Sequence, residues 1–331
     1  MLYLLGFIIL VCMLFSCSGN GSGIERFSWS DFEHTVELKG RTIDFEDAVV
    51  MPFSIQVHDS VLVTLEPARN VFCQLFDLNR EVRIGERLKM GEGPDEMIMP
   101  MFVHNGKGLQ FIDLSSAVLY SYAVSDFIEN EVPVPVDKIK LEENVDGEMQ
   151  VLNNHYLGYQ YSKDAQLYLF EQSGKKAKAL VGFPEKYAAL PPEKRSDILQ
   201  MGFVSNGQDR VAVTYYMTDL IEIYDTDGNL VKRMQGPEQF DYTATGKDAF
   251  FSPKNGGDSF WVLYNGEERS KEGHKSSCSK LLSFSWDGVP RCVYLLDDPI
   301  FTFCIDKKNR RIYGVSTTPE YHVVEYVLPE R

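Results

Sequence analysis

The sequence predicts an all-β fold, a six-bladed β-propeller whose last blade is closed by a strand from the N-terminal end. Three observations carry that prediction. Apolar runs of strand length recur at near-constant spacing, polar turns fall at matching places between them, and one strand-like run is left over near the start of the chain. The repeated runs are "VLVTLEP" from Val61, "GLQFIDL" from Gly108, "YLGYQYS" from Tyr156, "VAVTYYM" from Val211, "FWVLYNG" from Phe260 and "RIYGVST" from Arg311. Successive starts lie 47, 48, 55, 49 and 51 residues apart. Three or four antiparallel strands per repeat, over roughly 40 to 50 residues, is the pattern of a propeller blade.

Each element of the repeat has its own signal. Ahead of every run above lies another that ends in a polar turn, as at Val57-His58-Asp59, Val103-His104-Asn105, Val204-Ser205-Asn206 and Pro253-Lys254-Asn255. Behind it lies a third, "FCQLFDL", "LYSYAV", "LYLFEQ", "LIEIYD", "LLSFSW" and "HVVEYV" in turn. A turn and a fourth strand usually follow, as in "DTDGNLVKR" and "SWDGVPRCVY". In the first of these, Asp225, Asp227 and Asn229 also have the spacing of a calcium loop, but an EF-hand loop starting at Asp225 needs a bidentate Glu at its twelfth position, where Gly236 stands. Asp227-Gly228 and Asp287-Gly288 are therefore read as hairpin turns, in which Gly tolerates positive φ and Asp bonds its own backbone. The sixth repeat stops after three strands, and "HTVELKG", His34 to Gly40, is expected to supply its missing outer strand and remove the open seam.

The chain opens on "MLYLLGFIILVCMLFSC", apolar and uncharged, followed by small polar residues. That is the pattern of a secretory signal. Leu14-Phe15-Ser16-Cys17 resembles a bacterial lipobox, so Cys17 is the expected lipid anchor, with residues 1–16 as signal peptide, 17–30 as a flexible tether and 31–331 as the propeller. An uncleaved N-terminal anchor is the competing reading. Cys73, Cys278, Cys292 and Cys304 show no metal-binding spacing and are read as buried apolar thiols rather than disulfides, although an exported location permits pairing. A formal charge of −15 argues against nucleic acid and anionic membrane surfaces as partners.

The lipobox, the six-fold period and "KMGEGPDEM" after the first blade resemble the TolB-like six-bladed propeller lipoproteins of Bacteroidetes. The resemblance spans nearly the whole mature chain. It implies a fold and an exported location, and little chemistry, because propellers of this build include binding modules, lactonases and lyases.

Function is expected on the face formed by the loops between blades and between second and third strands. Arg69, Tyr216, Asp219, Tyr264 and Arg269 are the candidate ligand contacts there, beneath a flap at Asn265 to Cys278. "GEGPDE" lacks the Lys-Ser/Thr of a phosphate loop and is read as a tight connection between blades. "PPEKRSDILQM", Pro191 to Met201, is expected as a short inserted helix. His58, His104 and Asn154 are assigned to the opposite face. With no G-x-S-x-G elbow and no Cys/His metal spacing, no catalytic residue, cofactor or metal site is assigned. The leading reading is a membrane-anchored module that binds a protein or small molecule; the alternative is a lactonase-like hydrolase or lyase with a metal held on the axis by carboxylates and amides.

Overall fold

In a computed structural model of the chain, which describes residues 23–45, 49–68, 70–93, 96–161, 164–191, 194–195, 200–239, 247–267 and 277–330, every repeated run is a strand. Blade 1 is built from Ser54–His58, Val61–Ala68, Val71–Asp77 and Val82–Met90, and blade 2 from Pro100–His104, Leu109–Asp113, Val118–Tyr122 and Asp137–Lys140. Blade 3 comprises Met149–Leu152, His155–Tyr159, Ala165–Phe170 and Lys176–Gly182, and blade 4 Met201–Ser205, Arg210–Tyr215, Leu220–Asp225 and Leu230–Gln235. Phe250–Asn255, Ser259–Tyr264, Cys278–Ser285 and Pro290–Ile300 form blade 5; Thr302–Asp306, Arg311–Ser316 and His322–Val327 begin blade 6. Within each blade, strands that follow one another in sequence pair antiparallel.

The middle strands carry apolar residues on both faces because a blade has a neighbour on both sides. Buried apolar residues fall into six clusters, one at each junction between blades. Leu65, Phe72 and Leu75 of blade 1 meet Phe102, Phe111 and Phe127 of blade 2, and Ile55, Leu62 and Phe76 on the other side of blade 1 meet Tyr313, Val315 and Val323 of blade 6. The remaining clusters join blades 2 and 3, 3 and 4, 4 and 5, and 5 and 6. The four cysteines from Cys73 onward sit in these junctions as buried side chains, and burial pushes Cys73, Cys278 and Cys304 above their ordinary pKa.

The turn at Asp225 uses its oxygens for itself. The Asp225 carboxylate accepts the backbone N–H groups of Asp227 and Asn229, each at 2.9 Å, and the Asn229 side-chain amide at 2.9 Å, while Gly228 takes φ +85°. These are hairpin bonds, so the spacing of three polar residues reports a turn.

The N-terminal segment closes the ring with a different strand from the one expected. Gly40–Ile43 pairs antiparallel with His322–Val327 as the outer strand of blade 6. His34–Leu38 instead runs parallel to Pro290–Ile300, as a fifth strand on blade 5. The reason is steric: a Cβ on Gly40 would run into Val324 and the Tyr326 ring, so the crossing needs the residue that has none. Glu325 then clamps the seam, accepting Arg41 Nε at 2.9 Å and Arg311 at 2.6 Å.

The stretch 17–30 was expected to be tether, yet Glu25–Arg26 pairs parallel with the outer strand of blade 4, and Phe27 is buried with Phe32 in the junction of blades 4 and 5. The aromatic residues between the small polar ones are what draw the segment onto the body. Of the expected helix at Pro191 to Met201, residues 194–195 are helical, Pro191 and Gln200 are not, and Met201 already begins the inner strand of blade 4; residues 192–193 and 196–199 lie outside the described residues. Helical turns occur instead at Glu185–Ala188 and, between the third and fourth strands of blade 2, at Val124–Glu129.

Gly40→Val is expected to destabilise the protein by roughly 1–3 kcal/mol through overpacking against Val324 and Tyr326. The loss should appear in calorimetry as a fall in Tm of roughly 2–4 °C per kcal/mol.

Candidate functional site: the axial cavity

The inner strands of all six blades converge on one axis and splay apart at the face where they begin, leaving a cavity of about 610 Å³. This is the loop face expected from the sequence. Its wall mixes polar and apolar groups, with the aromatic side chains of Phe53, Phe203, Phe251, Phe301 and Tyr216 prominent, and the Tyr216 and Phe251 rings lie 4.8 Å apart, inclined by 31°.

The floor is ionic. Inner strands of blades 2 and 3 pair parallel, Met149 with Val103 and Gln150 with His104, which joins the two blades into one eight-stranded sheet. That register brings Glu148 beside His104. The Glu148 carboxylate accepts Ser54 Oγ on one oxygen and His104 Nε2 at 3.0 Å on the other, with the Lys254 ammonium 3.5 Å away. Burial pushes this carboxyl up, but Lys254, His104 and Ser54 outweigh it and hold Glu148 far below the usual range, as a permanent anion.

Lys254 reaches the floor because its strand is irregular. Between Phe251 and Lys254 the pairing with the second strand of blade 5 shifts register, and Ser252 takes φ +47°. A bulge of this kind re-aims side chains, here allowing 251–254 to line the cavity together.

Beneath Glu148 a chain of side chains continues along the axis. Gln56 donates its amide to His104 Nδ1 at 3.0 Å and accepts His58 Nε2 at 3.1 Å. An acceptor Nδ1 and a donor Nε2 make His104 the neutral Nε2–H tautomer. Burial lowers the His104 pKa, and Lys254 lowers it further against the pull of Glu148; burial also lowers that of His58. Further down, Asn105 donates to Gln150 at 2.9 Å, Asn255 donates to Asn105 at 3.3 Å, and Lys307 reaches Asn255 at 3.3 Å. The axial amides thus satisfy one another and are accompanied by ammonium groups, and no group of three or more His, Cys, Asp or Glu among the described residues is arranged to hold a metal ion.

Of the five contacts expected from the sequence, Tyr216 lines the cavity. Asp219 is fully buried and holds the turn after the outer strand of blade 4, accepting Gln235 and the backbone N–H groups of Glu238 at 3.1 Å and Gln239 at 2.7 Å. Tyr264 is buried under Trp29 and beside Phe250, at 5.4 and 5.2 Å between ring centroids. Arg69, Arg269, most of the expected flap and the expected anchor Cys17 lie outside the described residues. His104, assigned from sequence to the opposite face, points into the axis under the cavity. Sequence reasoning missed Glu148 and Lys254 altogether. For Lys254 a signal was present: the middle residue of each repeat's first turn is His58, His104, Asn153, Ser205, Lys254 or Asp306, polar in all six, whereas Glu148, one residue before the inner strand of blade 3, carried none.

Six blades, junction cores in place of a central core, and a cavity where the inner strands diverge define a β-propeller open at one end of its axis. Residues 31–308 match the TolB-like 6-blade propeller-like family, and the chain belongs to it. A member of the DUF4221 family from Bacteroides vulgatus superposes with a TM-score of 0.58 at 8% identity, covering 88% of this chain and 95% of its own. A protein described as exported, from Bacteroides fragilis, gives 0.55 at 11% identity, covering 90% and 99%. Raptor from Chaetomium thermophilum gives 0.53 at 11% identity, covering 89% of this chain and 29% of its own. At these identities the likeness is one of fold. No functionally curated protein matches the sequence.

Two outcomes follow from the axial floor. Glu148→Gln leaves Lys254 without its counter-charge, and a loss of roughly 3 kcal/mol is expected in urea unfolding. The second concerns pH. Because His58 and His104 have folded-state pKa values below the ordinary histidine value of 6.5, the unfolded chain takes up their protons first, so their contribution is complete above that pH and is lost as pH falls below it. Urea midpoints should therefore drop between pH 7 and 5, and the double variant His58→Gln/His104→Gln should flatten that slope, His322 on Asp298 acting in the opposite sense in both proteins.

Proposed function

We propose that this protein is a lipid-anchored binding protein of the cell envelope that holds a small organic ligand in its axial cavity. The observation that carries the reading is the cavity itself: about 610 Å³, aromatic-walled, with a few convergent polar groups at its base. That volume lies within the range of roughly 300–1,000 Å³ typical of small-molecule sites. An ion pair facing an open space is costly to desolvate unless something polar completes it.

The envelope address is supported by the apolar leader, by Leu14-Phe15-Ser16-Cys17, and by the exported relative of the same fold. Cys17→Ser should release the protein from the membrane fraction, as judged by fractionation and by loss of metabolic fatty-acid labelling. For the cavity, ligand carried over from the native host should be detected by native mass spectrometry of the intact protein, and Tyr216→Ala should reduce its occupancy about tenfold, the effect of roughly 1.4 kcal/mol of lost contact. An unchanged occupancy would place the ligand elsewhere.

A further inference from the structure

We infer that the ligand of the axial cavity is a neutral polyhydroxylated ring, a sugar residue or cyclitol, with adjacent hydroxyl groups on Lys254 and Glu148 and a C–H face against Tyr216 and Phe251. This rests on reading the cavity as a binding site and names the chemistry it selects.

The charges decide first. Lys254 and Glu148 stand 3.5 Å apart, so the floor is a dipole without net charge. An anionic ligand reaching Lys254 meets the Glu148 carboxylate beside it, with Asp146 and Asp248 also among the lining residues. A cationic ligand reaching Glu148 meets the Lys254 ammonium. Either brings a like charge against one member of the pair. A neutral ligand meets neither cost.

The hydrogen-bonding inventory decides next. An ammonium has three donors, and the partner recorded for Lys254 among the described residues is Glu148 alone. Glu148 has about four acceptor positions and three are occupied, by Ser54, His104 and Lys254. The floor thus offers spare donors next to one spare acceptor. A hydroxyl both accepts and donates, so two neighbouring hydroxyls satisfy the pair together. A zwitterion such as a free amino acid does not, since its ammonium group needs several acceptors and one is available. A wholly apolar ligand leaves every one of these groups unsatisfied.

The wall and the backbone agree with this. Tyr216 and Phe251 present ring surface to one side of the cavity, and a sugar ring has apolar C–H faces as well as polar edges. The left-handed backbone at Ser252, uncommon for a residue other than Gly, is the distortion that lets Phe251 and Lys254 line the same cavity from one strand.

The test uses the intact mature protein and a matched panel: neutral mono- and disaccharides and inositols, the uronate and amino-sugar counterparts of the same rings, and phenylalanine as a zwitterion. Saturation-transfer NMR and calorimetric titration should find a neutral ring bound at least tenfold tighter than its uronate and its amino counterpart. Lys254→Met and Phe251→Ala should each weaken that ring tenfold or more, with thermal unfolding confirming both variants are folded and with Lys308→Met, at the exposed surface, unchanged. Preference for the uronate, the amino sugar or phenylalanine overturns the inference and leaves the cavity a binding site. Silence from every neutral ring overturns it too; if Tyr216→Ala also leaves native occupancy untouched, the reading of the cavity falls with it.

Discussion

No blade of this protein has a core of its own. Each sheet is thin and apolar on both faces, so what hides its side chains is the next sheet, and the sixth needs the first. Stability is therefore a property of junctions, and six clusters, from the Leu65 and Phe111 cluster between blades 1 and 2 round to the Tyr313 and Ile55 cluster between blades 6 and 1, depend on the ring being shut. The strand Gly40–Ile43 shuts it. The segment leading to that strand also lends Phe27 and Phe32 to one junction and Leu38 to another, so the N-terminal end acts on three blades rather than one.

Convergence has a second effect, at the axis. Six inner strands brought together leave no room for more sheet and no apolar neighbour to cover them, so their inward side chains must satisfy one another. Here they do so in a column: His58, Gln56, His104 and Glu148, with Lys254 entering from the side. The column is well bonded below and open above, where the strands diverge. A neutral His104 donates to Glu148, and Glu148 stays ionised beside Lys254, which fixes the orientation of both charged groups before anything binds. The site is thus a by-product of closure, sharpened by one irregular strand.

The fold was legible in the sequence because its signal is repetitive: six apolar runs at a near-constant spacing, with Asp-Gly and Asn turns in phase, say the same thing six times. Closure was legible as a leftover strand, but the choice between His34–Leu38 and Gly40–Ile43 was not. It turns on one contact, between Gly40 and Val324 with Tyr326, some 280 residues apart in sequence and invisible without the fold. The site was harder for the same reason. Glu148, Lys254 and His104 come from three blades, and each alone looks like a surface group at a strand end. Tyr216, where loops meet the mouth, lines the cavity; Asp219 and Tyr264 have the same local character, but one is spent on a turn and the other on packing.

The seam between Arg41 and Glu325, 284 residues apart, joins the part of the domain that is made early to the part that is made last. The four main strands of each of the first five blades can pair as they emerge, since they are consecutive in the chain. The sixth cannot be completed until His322–Val327 has left the ribosome, and until then Gly40–Ile43 must wait without a partner. Assembly therefore ends in one late, long-range event, and a nascent chain stalled or clipped near its C-terminus leaves an exposed edge at each side of the gap.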